Sequence, residues 1–580
     1  MKKANITTIH KKKGSRQDLN NDRCIFVVCV LRMILDSLTY QEKYPLIDDR
    51  MSNSNIGARK HRNIRDHLFI VYAVMNSVIN GNDDPVDIQI YDVEKCFDGL
   101  WLQDCMLDLC ENLPEDARDD KVALIYKMNI ANQVAINTAI GQTKRVNMPE
   151  IVMQGGKWGP LKCSNTMDKI GKKCENRGKH LYTYKGKVKI MPLAIIDDLL
   201  ILAKCGKGSK DVNIFVNSEI EMKKLKFHTP DDNGKSKCHL LHIGRKKLDC
   251  QDLKVHGCPM KSVESDEYLG DILATNGKNT KNIQSRVAKG MGIISQIMDL
   301  LKNISFGKHY FDIAITLRES MFVNGILTNS EVWHNLNESE STKLEEVDRL
   351  LLRKILQVPI SCPIEALYLE LGCIPLGIII KSRRLNYLHH LVTRNESEML
   401  WKIFTTQWHN PTKGDWSEQV KEDLKLFEIC SDLDWIKSKS KFSFKSLVKS
   451  KAKELGLKIL INKKEKHSKM LQLEYMDLEM QNYFKNNEIT VSEARVIFKF
   501  RTRMIKCWGN FKGGRPPEKC PICKEEDSID TQDHAFQCNV IKQIIKIEGE
   551  YRHIFMNTVN KKIAKTVEKM SKLRAELLEE

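Results

Sequence analysis

The chain has 580 residues, 42% hydrophobic and 29% charged, with a mean hydropathy of −0.39; these values exclude a disordered chain and a single small module. The longest apolar run near the start, Cys24 to Leu31, has 8 residues and stops at Arg32, short of the roughly 20 that span a bilayer, and MKKANITTIHKKKGS has no apolar core of a signal peptide. Lys and Arg number 93 against 75 Asp and Glu, a net charge of +18, which suits a polyanionic partner, most often nucleic acid, and no membrane.

In chain order, residues 1–85 mix basic clusters with short apolar runs. VDIQIYDV then alternates Val86, Ile88 and Ile90 with polar residues, predicting a half-buried strand over 86–93. GLWLQDCMLDLC places Leu102, Cys105, Met106, Leu109 and Cys110 at helical spacing. MPLAIIDDLLILA reads as a hairpin with Asp197 and Asp198 at its turn. Residues 280–400 are expected to be mostly helical, with one stripe of Ile283, Val287, Met291, Ile294 and Met298, leaving Arg286 and Lys289 off it, and another of Leu344, Val347, Leu351 and Ile355. From Lys437 to Lys469 there are 12 lysines against Glu454 and Glu465, a local net charge of +10. That run is either a solvated helix face or a phosphate-contacting surface, and the interleaved Phe442 and Phe444 favour the second, since aromatics stack on bases. The tail sets Val559, Ile563, Val567, Met570, Leu573 and Leu577 on one helical stripe, expected to dock on its own chain.

Of the 18 cysteines, four are clustered near the C-terminus; the other 14, among them Cys24, Cys29, Cys105, Cys110 and Cys373, are scattered singly. Without a signal peptide these are expected to be reduced and buried, in the cytoplasm and nucleus. The four, Cys520, Cys523, His534 and Cys538, form C-x2-C-x10-H-x3-C, a spacing that can close tetrahedrally around a structural zinc ion with no position left open for catalysis. Arg501, Arg503, Lys506, Lys512, Arg515 and Lys519 lie just before or at its edge and suit nucleic-acid binding, while Cys507 falls outside the ligand spacing.

Three carboxylates stand out. Asp92 ends IQIYD, and Asp197 and Asp198 interrupt an apolar run. Like charges against a hydrophobic sheet are costly unless a divalent cation reverses the local electrostatics. Magnesium, a hard ion that takes carboxylate oxygens and keeps positions for water and phosphate, is the natural candidate. If Asp92 comes alongside the hairpin, the three acids can hold two ions about 3.5–4 Å apart for phosphoryl transfer; otherwise each is an ordinary turn or cap residue. Spacing alone leaves both open.

The sequence around the acids resembles a reverse transcriptase of a non-LTR (LINE-type) retrotransposon. YDVEKCFD (91–98), IVMQGGKWGP (151–160), AIIDDLL (194–200), FHTPDDNGKSKCHLLHIG (227–244) and DEYLGDIL (266–273) are similar to the family's palm motifs in order, with separations of 62, 43, 40 and 31 residues between Asp92, Gln154, Asp197, Lys237 and Tyr268. IHKKKGSRQDLNNDRCI (9–25) and NSNIGARKHRNIRDHL (53–68) resemble its fingers motifs. The chain departs from the pattern at Ile195, where an aromatic is usual, at Gly156-Lys157-Trp158 in place of Ser-Pro-Leu, and at Ala58 in place of Phe. The resemblance implies Asp92, Asp197 and Asp198 as catalytic magnesium ligands and Phe97 beneath the sugar of the incoming nucleotide, excluding a 2′-hydroxyl. It further implies Gln154 and Gly155 against the template pair, Lys13, Arg23 and, more weakly, Arg59 on the triphosphate, and Lys237 near the leaving pyrophosphate. The family carries a similar zinc knuckle downstream, where it serves nucleic-acid binding.

The fold implied is α+β, a right-hand polymerase: partial fingers over 1–85, a palm with catalytic carboxylates and primer grip over 86–275, and a helical thumb-like region over 276–405. A basic helical extension over 406–505, a zinc knuckle over 506–545 and a C-terminal helix over 546–580 complete it. The function implied is RNA-directed DNA polymerisation from dNTPs on an RNA template and DNA primer or target, with Mg²⁺ and structural Zn²⁺. A catalytically silent RNA-binding remnant is the alternative, and an RNA-templated RNA polymerase is opposed by Phe97. No endonuclease site is found, and because the family's nuclease can lie upstream, the reading frame is expected to be the latter part of a longer element.

Overall fold

The computed structural model describes residues 2–11, 15, 17–18, 21–176, 178–231, 234–244, 253–302, 309–334, 336–505, 507–511, 516–544 and 561–579. They form a mixed α/β chain in two units, Met1–Lys278 with Arg394–Glu418, and Asn279–Thr393 with Gln419–Glu580. Residues 394–418, expected at the junction of the helical region and the basic extension, thus count with the first unit. No helix among the described residues is long and apolar enough to cross a membrane.

In the first unit, β1 (Lys3–His10) pairs antiparallel with β2 (Asp22–Val28), with His10 opposite Asp22. Helices α1 (Val30–Arg50) and α2 (Ile64–Asn80) follow; Asn63 caps α2, which is buried continuously from Asp66 to Val78, a core helix rather than an amphipathic one. After β3 (Val86–Asp92), the chain passes through α3 (Cys96–Gly99), α4 (Leu102–Glu111) and α5 (Asp120–Asn129) to β4 (Gln133–Thr138), which runs parallel to β1. Strands β5 (Gly141–Gln142) and β6 (Val146–Asn147) complete that sheet. Part of the span read as one palm therefore joins the N-terminal hairpin. Helix α6 (Trp158–Glu175) and a small hairpin, β7 (Thr183–Tyr184) and β8 (Val188–Lys189), lead to β9 (Leu193–Ile195) and β10 (Asp198–Lys204); α7 (Lys207–Met222) and β11 (His239–Ile243) follow.

The second sheet has the order Lys261–Ser262, β11, β3, β10, β9, with β3 antiparallel to both of its neighbours. The alternation in VDIQIYD predicts one wet face, but β3 is buried on both. Tyr91 joins Cys163, Met167 and Ile170 of α6 and Val212, Val216 and Ile220 of α7 in one core, and α2 lies along β11. The polar positions survive burial because each is hydrogen-bonded: the Gln89 side chain donates to Ser209, Tyr91 donates to Gln89, and Asp87 meets His242. Helix α4 buries Leu102, Cys105, Met106 and Leu109 as its spacing predicts, with Cys110 half-buried.

The second unit is helical over most of its described length. Helix Thr280–Lys302 buries Ile283 and Ile294, but its inner face is turned from the predicted one: Arg286 is buried with its guanidinium 5.9 Å from the Trp333 ring centroid, whereas Met291 is exposed. Cation–π stacking makes an arginine a tolerable core residue there. Helix Glu338–Leu356 starts in a capping box of Asn337 and Glu340 and buries Leu344, Val347, Leu351 and Ile355. The C-terminal helix Lys561–Glu579 buries Ala564, Val567 and Met570 and packs against Val491–Arg501 of its own chain. Of the scattered cysteines, Cys105 and Cys373 are buried, but Cys24, Cys29 and Cys430 are exposed.

Candidate active site and metal centre

The register of β3 against β10 sets Asp92 directly opposite Asp198, and the β9–β10 turn places Asp197 beside them. The turn is tight: Ile196 has φ 56°, a left-handed backbone that a β-branched residue seldom adopts. It is held from outside. Ile56 N–H donates to Ala194 O, and Gly57 lies so close that a Cβ there would collide with Ile196 N and sit 2.7 Å from Ser164 Oγ. Asn55 fixes this segment: its Oδ1 accepts from Gly57 N–H and from Ser164 Oγ, and its Nδ2 donates to Ser164 O.

Burial, followed by the charges of Asp197 and Asp92, pushes the Asp198 carboxyl up to about 7, against the pull of Lys237. The Asp197 carboxyl is also raised, first by burial and then by Asp92, with Lys237 and Arg23 opposing. Lys237 Nζ lies 2.9 Å from Asp92 Oδ2. Three carboxylates are the donor set a hard divalent cation takes, but among the described residues the groups of three or more ligand atoms lying within 4.8 Å of one another are two cysteine-containing ones, and Asp92, Asp197 and Asp198 are not drawn together that tightly.

The other predicted residues divide. Arg23, exposed on β2, is near enough to Asp197 to act on its carboxyl. Gly155 has φ 112°, and a Cβ there would fall 2.9 Å from Phe26 O, so glycine is required where Gln154 O accepts the Phe26 N–H at 2.8 Å. Phe97 is half-buried at the edge of the core beneath the sheet, 3.5 Å from where a Cβ on Gly159 would lie. Lys13 lies outside the described residues. Arg59 is not brought to this surface: it is buried, its Nε donates to Asp48 Oδ1, and its terminal nitrogens donate to the carbonyls of Asp48, Ser52 and Asn55. Its donors are spent holding the 48–55 turn, leaving no fork for a phosphate. Sequence reasoning missed the buttress of Asn55 and Gly57, although both lie in the quoted NSNIGARK motif.

In the second unit, Cys520, Cys523, His534 and Cys538 bring their ligand atoms within 4.8 Å of one another, with Cys523 Sγ 3.3 Å from His534 Nε2. Thr531 caps the short helix that carries His534, and the Lys524 N–H closes the knuckle on Cys520 O. Three thiols and an imidazole at this separation fit tetrahedral zinc. Cys507 is buried outside the group. Of the basic residues expected to serve it, Lys519 is exposed, but Arg501 is buried against Glu370; Lys506, Lys512 and Arg515 lie outside the described residues.

The 12-lysine segment is also divided. Helix Lys441–Lys464 exposes Lys441, Lys445 and Lys449 at four-residue intervals, and Phe442 is 84% exposed beside them. Phe444, read as a base-stacking aromatic, is instead buried against the His389 ring, 5.2 Å between centroids. Lys464 is buried with its Nζ donating to Leu473 O, and Lys451 and Lys453 are paired with Glu454 and Glu479.

No protein-family model matches the chain, and no curated protein is a significant match. Similar solved structures include telomerase from Candida tropicalis in complex with a TWJ fragment of telomeric RNA, 11% identical, with a TM-score of 0.36 over 77% of this chain and 64% of that one. Telomerase from Candida albicans, with a fragment of the same kind, is 12% identical, with a TM-score of 0.29 over 76% and 64%. Apo telomerase from Candida tropicalis truncated from its C-terminal domain is 12% identical, with a TM-score of 0.32 over 48% and 54%. The chain thus spans between 54% and 64% of the length of these three proteins. At these values the functional assignment is left to the residues.

Proposed function

We propose that the chain is an RNA-directed DNA polymerase of right-hand architecture from a LINE-type retrotransposon, acting in the cytoplasm and nucleus. The observation that carries this reading is the meeting of Asp92, Asp197 and Asp198 at one end of the second sheet with Lys237 on Asp92. When bound, Mg²⁺ supplies activation of a primer 3′-hydroxyl and stabilisation of the leaving pyrophosphate. The chain's own groups position the reactants. The Gly57-backed turn fixes Asp197, Gly155 lets the Gln154 segment lie against β2, which holds it in place beside a template pair, and Phe97 supplies an apolar floor that favours a deoxyribose. Lys237, 2.9 Å from Asp92 Oδ2, balances that acid before a cation enters and is then placed to meet pyrophosphate charge. In this reading the first unit holds palm and fingers, and the second holds thumb, basic extension and the zinc-binding Cys3His group, which grips nucleic acid.

The test is primer extension on an RNA template with Mg²⁺ and dNTPs. Asp197→Asn is expected to abolish incorporation, and comparable synthesis by that variant sinks the site. Normal RNA affinity without incorporation by the unaltered protein marks it instead as the silent binding remnant.

A further inference from the structure

We infer that the first unit carries a further metal centre, for a zinc-like divalent cation, at Asp87, Cys205 and His242. These residues are at the end of the second sheet away from the catalytic carboxylates, and the inference does not rest on the polymerase reading. Strand register builds the centre. His242 on β11 stands opposite Asp87 on β3, Ala203 on β10 stands opposite Asp87 from the other side, and Cys205 follows the last residue of β10, Lys204. His242 Nδ1 lies 2.8 Å from Asp87 Oδ1, and Cys205 Sγ lies 3.3 Å from the same oxygen and 3.6 Å from the same nitrogen.

Zinc bonds of about 2.0–2.3 Å put tetrahedral ligand atoms roughly 3.3–3.7 Å apart. Two edges of the triangle already have that length. The third widens by about half an ångström when the hydrogen bond between imidazole and carboxylate gives way to metal bonds. The donor set of one thiolate, one imidazole and one carboxylate selects zinc, or cobalt as its probe, over magnesium. Asp87 is fully buried in a sheet covered on both faces, where a carboxylate is costly unless compensated. On binding, the Cys205 thiol proton is released to solvent, the proton between His242 Nδ1 and Asp87 Oδ1 is exchanged through solvent to His242 Nε2 so that a neutral imidazole presents Nδ1, and the dication balances one thiolate and one carboxylate. Cys205 and His242 are both half-buried rather than sealed in the core, and water is the expected fourth ligand. A bound ion would tie together β3, β10 and β11 five residues before Asp92 and at the far end of the strand that begins with Asp198.

The full chain, equilibrated with Zn²⁺ and freed of excess, is expected to hold two zinc ions by elemental analysis. One should remain in Cys205→Ser, one in Cys523→Ser and none in the double variant. With Co²⁺, the Cys523→Ser protein is expected to show a thiolate-to-cobalt band of single-sulfur intensity, lost on adding Cys205→Ser or Asp87→Asn. The asparagine keeps the side-chain shape and serves as a second probe should the serine variant fold poorly, with circular dichroism of the metal-free proteins as the control. One zinc in the unaltered chain and none in Cys523→Ser overturns the proposal. One zinc that survives Cys523→Ser and vanishes in Cys205→Ser supports it while removing zinc from the Cys3His group.

Discussion

Asp198 enters the folded state at an energetic disadvantage that a bound cation would relieve, and this has a measurable sign. Its folded carboxyl is raised to about 7, above the usual carboxylate range, by burial and by Asp197 and Asp92. Between about pH 4 and pH 7, metal-free folded protein keeps a proton that the unfolded chain has lost, so stability falls as pH rises and then levels off. Thermal unfolding in chelator is expected to show that decline, Asp198→Asn to flatten it, and added Mg²⁺ to restore stability above pH 7. Equal melting at pH 5 and pH 8 in chelator contradicts it. Gly57 is a second residue-scale test. Gly57→Ala drives a Cβ into the backbone of the Ile196 turn, costing about 1–3 kcal/mol as an overpacked site. Incorporation is expected to fall by tenfold or more with RNA binding retained; full activity would remove the buttress role. The pairing of Asp92 with the Asp197–Asp198 hairpin was legible from the ordered motifs around the acids, whereas their spacing alone fits ordinary turn residues equally well. Arg59 was misread because a basic residue in a loop gives no sign that carbonyls surround it, and Asn55 and Gly57 become informative only when Ile196 is seen against them.

Elements were legible where one face is dry and obscure where both are. Helix α4 follows its apolar spacing, whereas β3 reads as half-buried because Asp87 and Gln89 look like solvent-facing residues until their partners are known. Arg286 misleads in the same way. Buried ion pairs are a related device in the second unit. Arg318 meets Asp348 through two hydrogen bonds of 2.7 and 2.6 Å with Tyr368 on the same carboxylate. Glu370 accepts from Arg501, Tyr475 and Tyr483, joining helix Ile364–Leu371 to the 475–501 stretch. Removing one side of such a pair leaves a buried charge, so Arg501→Met is expected to cost about 3–5 kcal/mol, measured by denaturant unfolding. Glu370→Gln with Arg501→Met should recover part of that loss, since neither charge then remains.

At the scale of the whole molecule, the net charge of +18 is less uniform than its sum suggests. Several lysines of the 437–469 run are spent on the chain's own acids and carbonyls, leaving Lys441, Lys445 and Lys449 as an exposed row. If that row contacts phosphates, replacing all three with Gln should weaken single-stranded RNA binding and reduce the slope of log affinity against log salt by about 2; an unchanged slope marks a merely solvated face. The division of the molecule has a different consequence. The first unit is closed by Arg394–Glu418, which supplies Arg394 to Asp66, Glu398 to Arg62, Asp415 to Asn76 and the Trp416 ring to Phe69. The chain between Lys278 and Glu418 is 140 residues long. At about 5–20 residues per second, a ribosome needs roughly 7–28 s to make it. Throughout that interval the nascent first unit lacks its last helix, and α2 has no Trp416 to pack against, so chaperone capture is expected to be strongest on chains stalled between these two positions.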